Sequence, residues 1–470
     1  MSIAGGIGSA GGLGVRTAVE GIAWPAILPE GGAHLLALNF QLERSQWWPP
    51  ETMRRHQLLQ LRALLAHAVA HVPHYRAKPY RGWLNCSDTA AWAAFRELPL
   101  LTRRIAQAGG DAFFAASLPK EHGAVSQDET SGSTGVPLRY RATSLAGFFW
   151  NALVMREHFW HRRDFSARHA FIRSRPEQGL APTWGPPSNQ IFACGESANL
   201  PISRSLPEKR EWLRAIDPHY LMTTPSTLKA LAQSALEQAL PLPRLREART
   251  VGETVTGALR ELVRQAWGVG IVDSYSSSEC GLLAAQCPLS GPLSGHYHAQ
   301  SEWAIVEVLD AGGRSCEEGE IGRIVVTPLH NFAMPLVRYD TGDYAEAGGA
   351  CPCGRGLPTL RRILGRHRNR LFHPDGEVSW PNLSSLPWQE LAPGLRRFQL
   401  RQHSDLSLLL RYEAGERFTP DECARISDTL RQHLRCTLPL AFEQVAELPL
   451  SVAGKLEDFV SEGPDGRAAT

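Results

Sequence analysis

Thr130-Ser131-Gly132-Ser133-Thr134-Gly135-Val136-Pro137 sets hydroxyls and glycines side by side, with no bulky side chain before Val136. Glycine permits positive φ and close backbone approach. Serine and threonine hydroxyls can bond an anion without adding charge. Consecutive backbone N–H groups in such a loop form a concavity suited to phosphate. The run is not a Walker A loop, because no Gly-Lys-Ser/Thr follows the glycines. Alone it reads equally well as a polar turn. Three later stretches lift it above that reading.

The bulk of the chain bounds what surrounds this loop. A chain of 470 residues buries a large core and splits into more than one domain. With 43% hydrophobic and 20% charged residues it reads as a globular protein rather than a disordered one. The net charge of +2 gives no global case for nucleic acid or an acidic membrane as partner. No run of about 18 apolar residues occurs, so no membrane span is expected. The stretch Met1 to Gly14 lacks a basic start and an apolar core, which argues against a secretory signal. Nine cysteines then read as reduced thiols or metal ligands, and a cytoplasmic location is expected.

Upstream of the loop, residues 1–40 are weakly patterned. Leu58, Leu61, Leu65, Ala68 and Val72 carry the spacing of one buried helix face, which predicts a helix from about Glu51 to His71, stopped by Pro73. His67 and His71 stand one turn apart without the glutamate of a zinc-protease motif, so they read as solvated helix histidines. Downstream, Ser144 to His161 reads as a helix bearing Phe148, Phe149 and Trp150. From 165 to 275 strand-like and helical stretches alternate, which predicts an α/β sheet covered by helices. The second stretch, Asp273-Ser-Tyr-Ser-Ser-Ser-Glu279, closes that region. Tyr275 could stack on a base, and Glu279 could hold Mg²⁺ through oxygen.

Ala304–Leu309, Gly322–Thr327 and Pro335–Tyr339 read as strands. The last runs into the third stretch, Asp340-Thr341-Gly342-Asp343. A carboxylate after a tight glycine turn suits the two hydroxyls of a ribose. Cys351-Pro-Cys353-Gly354 can form a metal knuckle, with Cys287 and His298 supplying further ligands to a closed tetrahedral zinc site. Cys280 and His296 compete for those places. Arg361 to Arg370 is a short basic run, read as a solvated linker or one that touches phosphate. Residues 371–470 read as a small α+β unit ending in a loop with Gly454-Lys455, the fourth stretch.

Taken together, Thr130–Pro137, Tyr275–Glu279, Tyr339–Asp343, Gly365-Arg366 and Gly454-Lys455 fall in the order seen in the adenylate-forming superfamily. Within it the chain resembles the phenylacetate–CoA ligase family over roughly residues 40–460. Gln46-Trp47 through Arg76, Leu98 through Arg103 and Gly252-Glu253-Thr254 carry the same resemblance. It implies a large N-terminal domain with helix-covered sheets, residues 41–365, and a small mobile α+β domain, residues 366–470, after a loosely ordered segment 1–40. It implies ATP and a small carboxylic acid, aryl or similar, as substrates, and coenzyme A as acceptor. Thr130, Ser131, Gly132, Ser133, Thr134 and Gly135 would embrace the phosphates. Tyr275 would pack on adenine, Glu279 serve Mg²⁺, Asp343 hold ribose, Arg366 contact the nucleotide and Lys455 reach the α-phosphate. The family's zinc site maps onto Cys287, His298, Cys351 and Cys353. Trp150, Trp184 and Phe192 are candidates for the acid pocket.

The departures from the family pattern are local. Leu138 stands where the wider superfamily often has lysine, Ser276 and Ser278 replace glycine and threonine, and the hinge pair is Arg368-Asn369. They leave a carrier-protein thiol or an amine open as acceptor, and a homodimer is also left open. Glu279, Asp343 and Lys455, retained together, weigh against a non-catalytic relative.

Overall fold

The computed structural model describes residues 14–130, 137–174, 178–289, 291, 295–366, 369–381, 383, 386, 388–448 and 458–463. Ser131 to Gly135 and Lys455 therefore lie outside the described residues.

The first two helices among the described residues are α1 (Glu30–Ser45) and α2 (Pro50–His71). Pro50 sits in the first turn of α2, where a missing N–H costs nothing. The helix ends at His71, with Val72 as its extended cap before Pro73, as its sequence predicts. Leu35 and Leu42 of α1 are buried in the main core, so the expected boundary at residue 40 falls inside a packed helix. His67 is buried rather than solvated, with Nε2 3.1 Å from the Phe332 carbonyl. Short helices α3 (Lys78–Leu84), α4 (Asp88–Arg96) and α5 (Arg103–Gly109) follow, then α6 (Ser144–Trp160). The hydroxyl of Thr143 accepts from Ala146 N and caps α6.

A thirteen-stranded sheet forms the large domain. Its first strand, β1 (Leu101–Thr102), is only two residues long. The hairpin β2 (Val125–Glu129) and β3 (Arg139–Thr143) stands apart from the sheet and brackets the glycine–hydroxyl loop. The sheet continues with β4 (His169–Arg173), β5 (Gly179–Ala181), β6 (Ser197–Pro201), β7 (Tyr220–Thr223), β8 (Glu247–Val251) and β9 (Gly270–Ser277). β6, β4, β7, β8 and β9 run parallel in that spatial order. Their crossovers include α7 (Leu206–Ile216), α8 (Pro225–Gln238) and α9 (Gly257–Trp267), which bury a second core against this half. Each helix starts on a hydroxyl cap: Ser205, Thr224 and Thr256.

The other half is antiparallel: β10 (Gly281–Gln286), β11 (Tyr297–Ala299), β12 (Ala304–Leu309), β13 (Ile321–Pro328), β14 (Tyr339–Ala347) and β15 (Thr359–Arg366). Three expectations change here. Residues 335–338 are not a strand; β14 begins at Tyr339, after Arg338 takes a positive φ of 50°. The Asp340–Asp343 stretch is not a turn between strands but part of β14. Its pairing with β13 slips between Arg323 and Val325, and Gly342 takes a φ of 76°, the signature of a bulge. The basic run from Arg361 to Arg366 is likewise sheet rather than linker.

The small domain holds β16 (Leu371–Phe372) with β17 (Val378–Ser379), then α10 (Trp388–Leu391) and a four-stranded sheet. That sheet orders β20 (Leu440–Gln444), β19 (Leu408–Ala414), β18 (Leu395–Gln402) and β21 (Phe459–Ser461), with α11 (Pro420–Leu434) sharing its core. Among the described residues no helix is long and apolar enough to cross a membrane.

Candidate active site and metal centre

Ligands of parallel sheets gather beyond the carboxyl ends of the strands. Here a cleft of about 1850 Å³ opens there, beyond β7, β8 and β9, and the small domain forms its other wall. Thr130, Tyr275, Glu279, Asp343 and Arg366 all line it, although they come from widely separated stretches of the chain.

Tyr275 closes the parallel half, near the end of β9. Its hydroxyl donates to Asp343 Oδ2 at 2.7 Å and contacts Thr341 Oγ1 at 3.2 Å. Burial, then the Asp343 charge, pushes the phenol well above its usual range, so it stays a donor. The bulge in β14 turns Asp343 toward the cleft. Asp343 is the register partner of Arg366, whose Nε lies 3.7 Å from Asp343 Oδ1.

Glu279 sits in the turn between β9 and β10. Tyr339 donates its hydroxyl to Glu279 Oε1 at 3.0 Å, and Arg103 Nη1 lies 3.6 Å from the same oxygen. Both contacts fall on Oε1, and the residue lines the cleft. A second carboxylate oxygen facing a polar cleft is the hard donor that Mg²⁺ takes. Thr130 marks the mouth of the loop: its N–H donates to the Leu138 carbonyl, and Leu138 N–H returns to Thr130 Oγ1, each at 3.0 Å. The two ends of the loop are thereby pinned together. Asp458, three residues beyond Lys455, lines the same cleft, and the charge of Lys229 on α8 lowers its carboxyl against a larger upward push from burial.

Of the aromatic candidates for the acid pocket, Trp150 lines the cleft. Trp184 is packed instead against Tyr220 and donates to the Ala167 carbonyl, and Phe192 lies in the main core. The residues that sequence reasoning passed over are partners of partners. Glu253 accepts from Ser226 N at 2.8 Å and Ser226 Oγ at 3.0 Å, holding the start of α8 beside the cleft. Its place in Gly252-Glu253-Thr254 was the available signal. Arg103 and Tyr339 had none beyond their motifs.

A second cluster lies where β10, β11 and the loop before β15 meet. Cys287 follows β10, and its N–H donates to the His296 carbonyl at 2.9 Å, which sets the start of β11 beside it. The donor atoms of Cys287, His296, His298 and Cys351 all lie within 4.8 Å of one another. Cys287 and Cys351 sulfurs are 3.7 Å apart, His296 Nε2 is 2.9 Å from Cys351 Sγ, and His298 Nε2 is 3.3 Å from Cys353 Sγ. Two thiolates on tetrahedral zinc, with Zn–S of about 2.3 Å, would stand about 3.8 Å apart, so this donor set fits the ion. Burial pushes His298 down to about 4, leaving a neutral ligand imidazole. His296 thus joins the expected residues. Cys280 does not: it is buried in the main core, its carbonyl accepting from Trp303 Nε1 at 2.7 Å.

No family model matches the chain. It is 26% identical over 341 residues to the phenylacetate-coenzyme A ligase of Pseudomonas putida, covering 68% of this chain and 72% of that one. The enzyme of the same name from Thermus thermophilus is 26% identical over 344 residues, covering 69% and 72%. Among solved structures, 2-hydroxyisobutyryl-CoA ligase with its acyl-AMP superposes with a TM-score of 0.68 at 17% identity, covering 91% of this chain and 93% of that one. Anthranilate CoA ligase AuaEII with anthranoyl-AMP gives 0.53 at 17% identity, covering 70% and 64%. The fold is that of the adenylate-forming ligases. Within that class, the sequence is related to the phenylacetate–CoA ligases.

Proposed function

We propose that the chain activates a small carboxylic acid, aryl or similar, with ATP and passes the acyl group to coenzyme A. The observation that carries this is the convergence of Thr130, Tyr275, Glu279, Asp343 and Arg366 on one cleft. The curated relatives carry the name of a CoA ligase for an aryl acid, which supports the choice of acid and acceptor.

A carboxylate oxygen attacks the α-phosphorus of ATP. The bond from that phosphorus to the bridging oxygen breaks, and pyrophosphate leaves with its electron pair. The thiol sulfur of coenzyme A then attacks the acyl carbonyl, loses its proton, and displaces AMP. Asp343 accepts from the ribose hydroxyls, Arg366 contacts the nucleotide and Tyr275 packs by adenine while its hydroxyl orients Asp343. Ser131 to Gly135 wrap the phosphates, and Lys455 reaches the reacting oxygens. Mg²⁺ held at Glu279 would neutralise phosphate charge. Zn²⁺ on Cys287, His298, Cys351 and one of His296 or Cys353 would staple the loop before β15 to the sheet, a structural role. The free cysteines suit the reducing cytoplasm.

Acid-dependent ATP–pyrophosphate exchange over a panel of aryl, aliphatic and amino acids tests the reading. Exchange with an aryl acid and thioester formation on adding coenzyme A are expected. Exchange without thioester overturns the acceptor, and folded protein with no exchange for any acid overturns the activity.

A further inference from the structure

Arg103 ends the Leu98–Arg103 stretch of the family resemblance and pairs with the proposed metal carboxylate, Glu279. Its position follows from the shortest strand in the sheet. β1 pairs parallel to β14 through Leu101↔Tyr339 and Thr102↔Asp340. The next residue, Arg103, leaves the strand within reach of Glu279, which accepts from the Tyr339 hydroxyl. Thr102 Oγ1 accepts from Ile105 N at 3.3 Å and turns the chain into α5 at once, which fixes where the Arg103 backbone stands.

The guanidinium then spans two parts of the cleft. Nη1 lies 3.6 Å from Glu279 Oε1, an ion-pair distance too long for a good hydrogen bond. Nη2 donates to Thr130 Oγ1, at the mouth of the phosphate loop. Nε is buried and has no hydrogen-bond partner among the described residues. The two side chains are 18% and 8% exposed, so neither charge is well hydrated. A guanidinium offers five donors in a planar fork, a shape that matches phosphate oxygens. Here that fork is incompletely used among the described residues, and it stands in the cleft between the Glu279 carboxylate and the Thr130 hydroxyl.

We propose that Arg103 is a phosphate-binding residue that exchanges partners during the nucleotide cycle, an inference that rests on the adenylation reading. Without nucleotide, its charge compensates half-buried Glu279. With Mg²⁺ and ATP bound together, Glu279 would hold the metal, and the guanidinium turns onto the β- and γ-phosphates, where it stays to steady the pyrophosphate that leaves. A cation so close to Glu279 also disfavours a divalent ion binding there alone, so metal and triphosphate load as a unit.

Two shifts in opposite directions test this. Equilibrium binding by calorimetry compares wild type, Arg103→Gln and Arg103→Lys with ATP, pyrophosphate and AMP, and Mn²⁺ alone is titrated by electron paramagnetic resonance. In Arg103→Gln, ATP and pyrophosphate bind roughly tenfold or more weakly, while AMP changes less than about twofold. Mn²⁺ alone binds several-fold more tightly. Arg103→Lys keeps the charge and loses the fork, so it falls between, and it replaces the glutamine variant should that one not fold. Equal weakening of ATP, pyrophosphate and AMP would mean a merely structural arginine and overturns the inference, as does unchanged binding of all three. Wild-type protein that binds no nucleotide overturns the adenylation reading, and this inference with it.

Discussion

Tyr275 and Asp343, 68 residues apart in sequence, share a hydrogen bond of 2.7 Å. The bond ties the end of the parallel half of the sheet to the bulge in the antiparallel half, across the floor of the cleft. Asp343→Ala is expected to weaken ATP, AMP and adenosine alike, by roughly tenfold or more, because a ribose contact does not depend on the phosphates. Calorimetric titration of the three ligands checks it. The pattern differs from that of Arg103→Gln, which spares AMP.

The thiol–imidazole cluster should hold about one zinc per chain. Cys287→Ser, Cys351→Ser and His298→Ala each bring the metal below half an equivalent and lower the melting temperature. A closed tetrahedral site takes four donors. One of His296→Ala and Cys353→Ser therefore empties it as well, and the other leaves it filled. Metal analysis of purified variants decides this; both or neither losing the ion contradicts a closed four-ligand centre.

Asp273 gives stability a pH dependence. Its carboxyl is buried beneath the cleft, where Thr250 Oγ1 and the Tyr297 hydroxyl each donate to it at 2.6 Å. Burial outweighs those bonds and pushes its pKa up from 3.8 to about 6. From about pH 4 to 6 the unfolded chain releases this proton before the folded one does. Stability therefore falls as pH rises through that window and stays lower above it, by roughly 3 kcal/mol for this group. Asp273→Asn removes the slope. Urea midpoints for both proteins between pH 4 and 7 should diverge in favour of the variant as pH rises.

Glu157 anchors a charge cluster beneath the same strand. Its Oε1 lies 2.9 Å from Arg163 and 3.1 Å from Arg249, and Oε2 accepts from Ser274 Oγ at 3.0 Å. Burial opposes ionisation, but Arg249 and Arg163 outweigh it and hold the carboxyl well below its usual range. Glu157→Gln leaves two buried guanidinium groups without their shared counter-ion. A loss of about 3–5 kcal/mol is expected in urea unfolding. A loss under about 1 kcal/mol would mean the arginines find other partners.

Local patterns were legible where one element settles its own face. Ala304–Leu309 has the same bounds in sequence and structure, because a short apolar run ending in turns leaves little choice. α2 was readable from its leucine spacing and the proline after it. The Asp340–Asp343 stretch misled, since a glycine that looks like a turn serves equally well as a bulge inside a strand. Arg361–Arg366 misled because exposed arginines on an edge of the cleft have the composition of a linker. His67 misled because the aromatic ring that buries it, Phe332, is remote in sequence.

The order of the motifs, the strand–helix alternation and the residue types a nucleotide site needs could be read before folding, because each of these is written in contiguous residues. Tertiary structure alone decided that Tyr275 meets Asp343, that Arg103 stands between Glu279 and Thr130, and that His296 faces Cys351. Those contacts depend on strand register. One residue of slip in β1 against β14, or in β10 against β11, turns each side chain to the other face, and no local pattern records which register the packed sheet adopts.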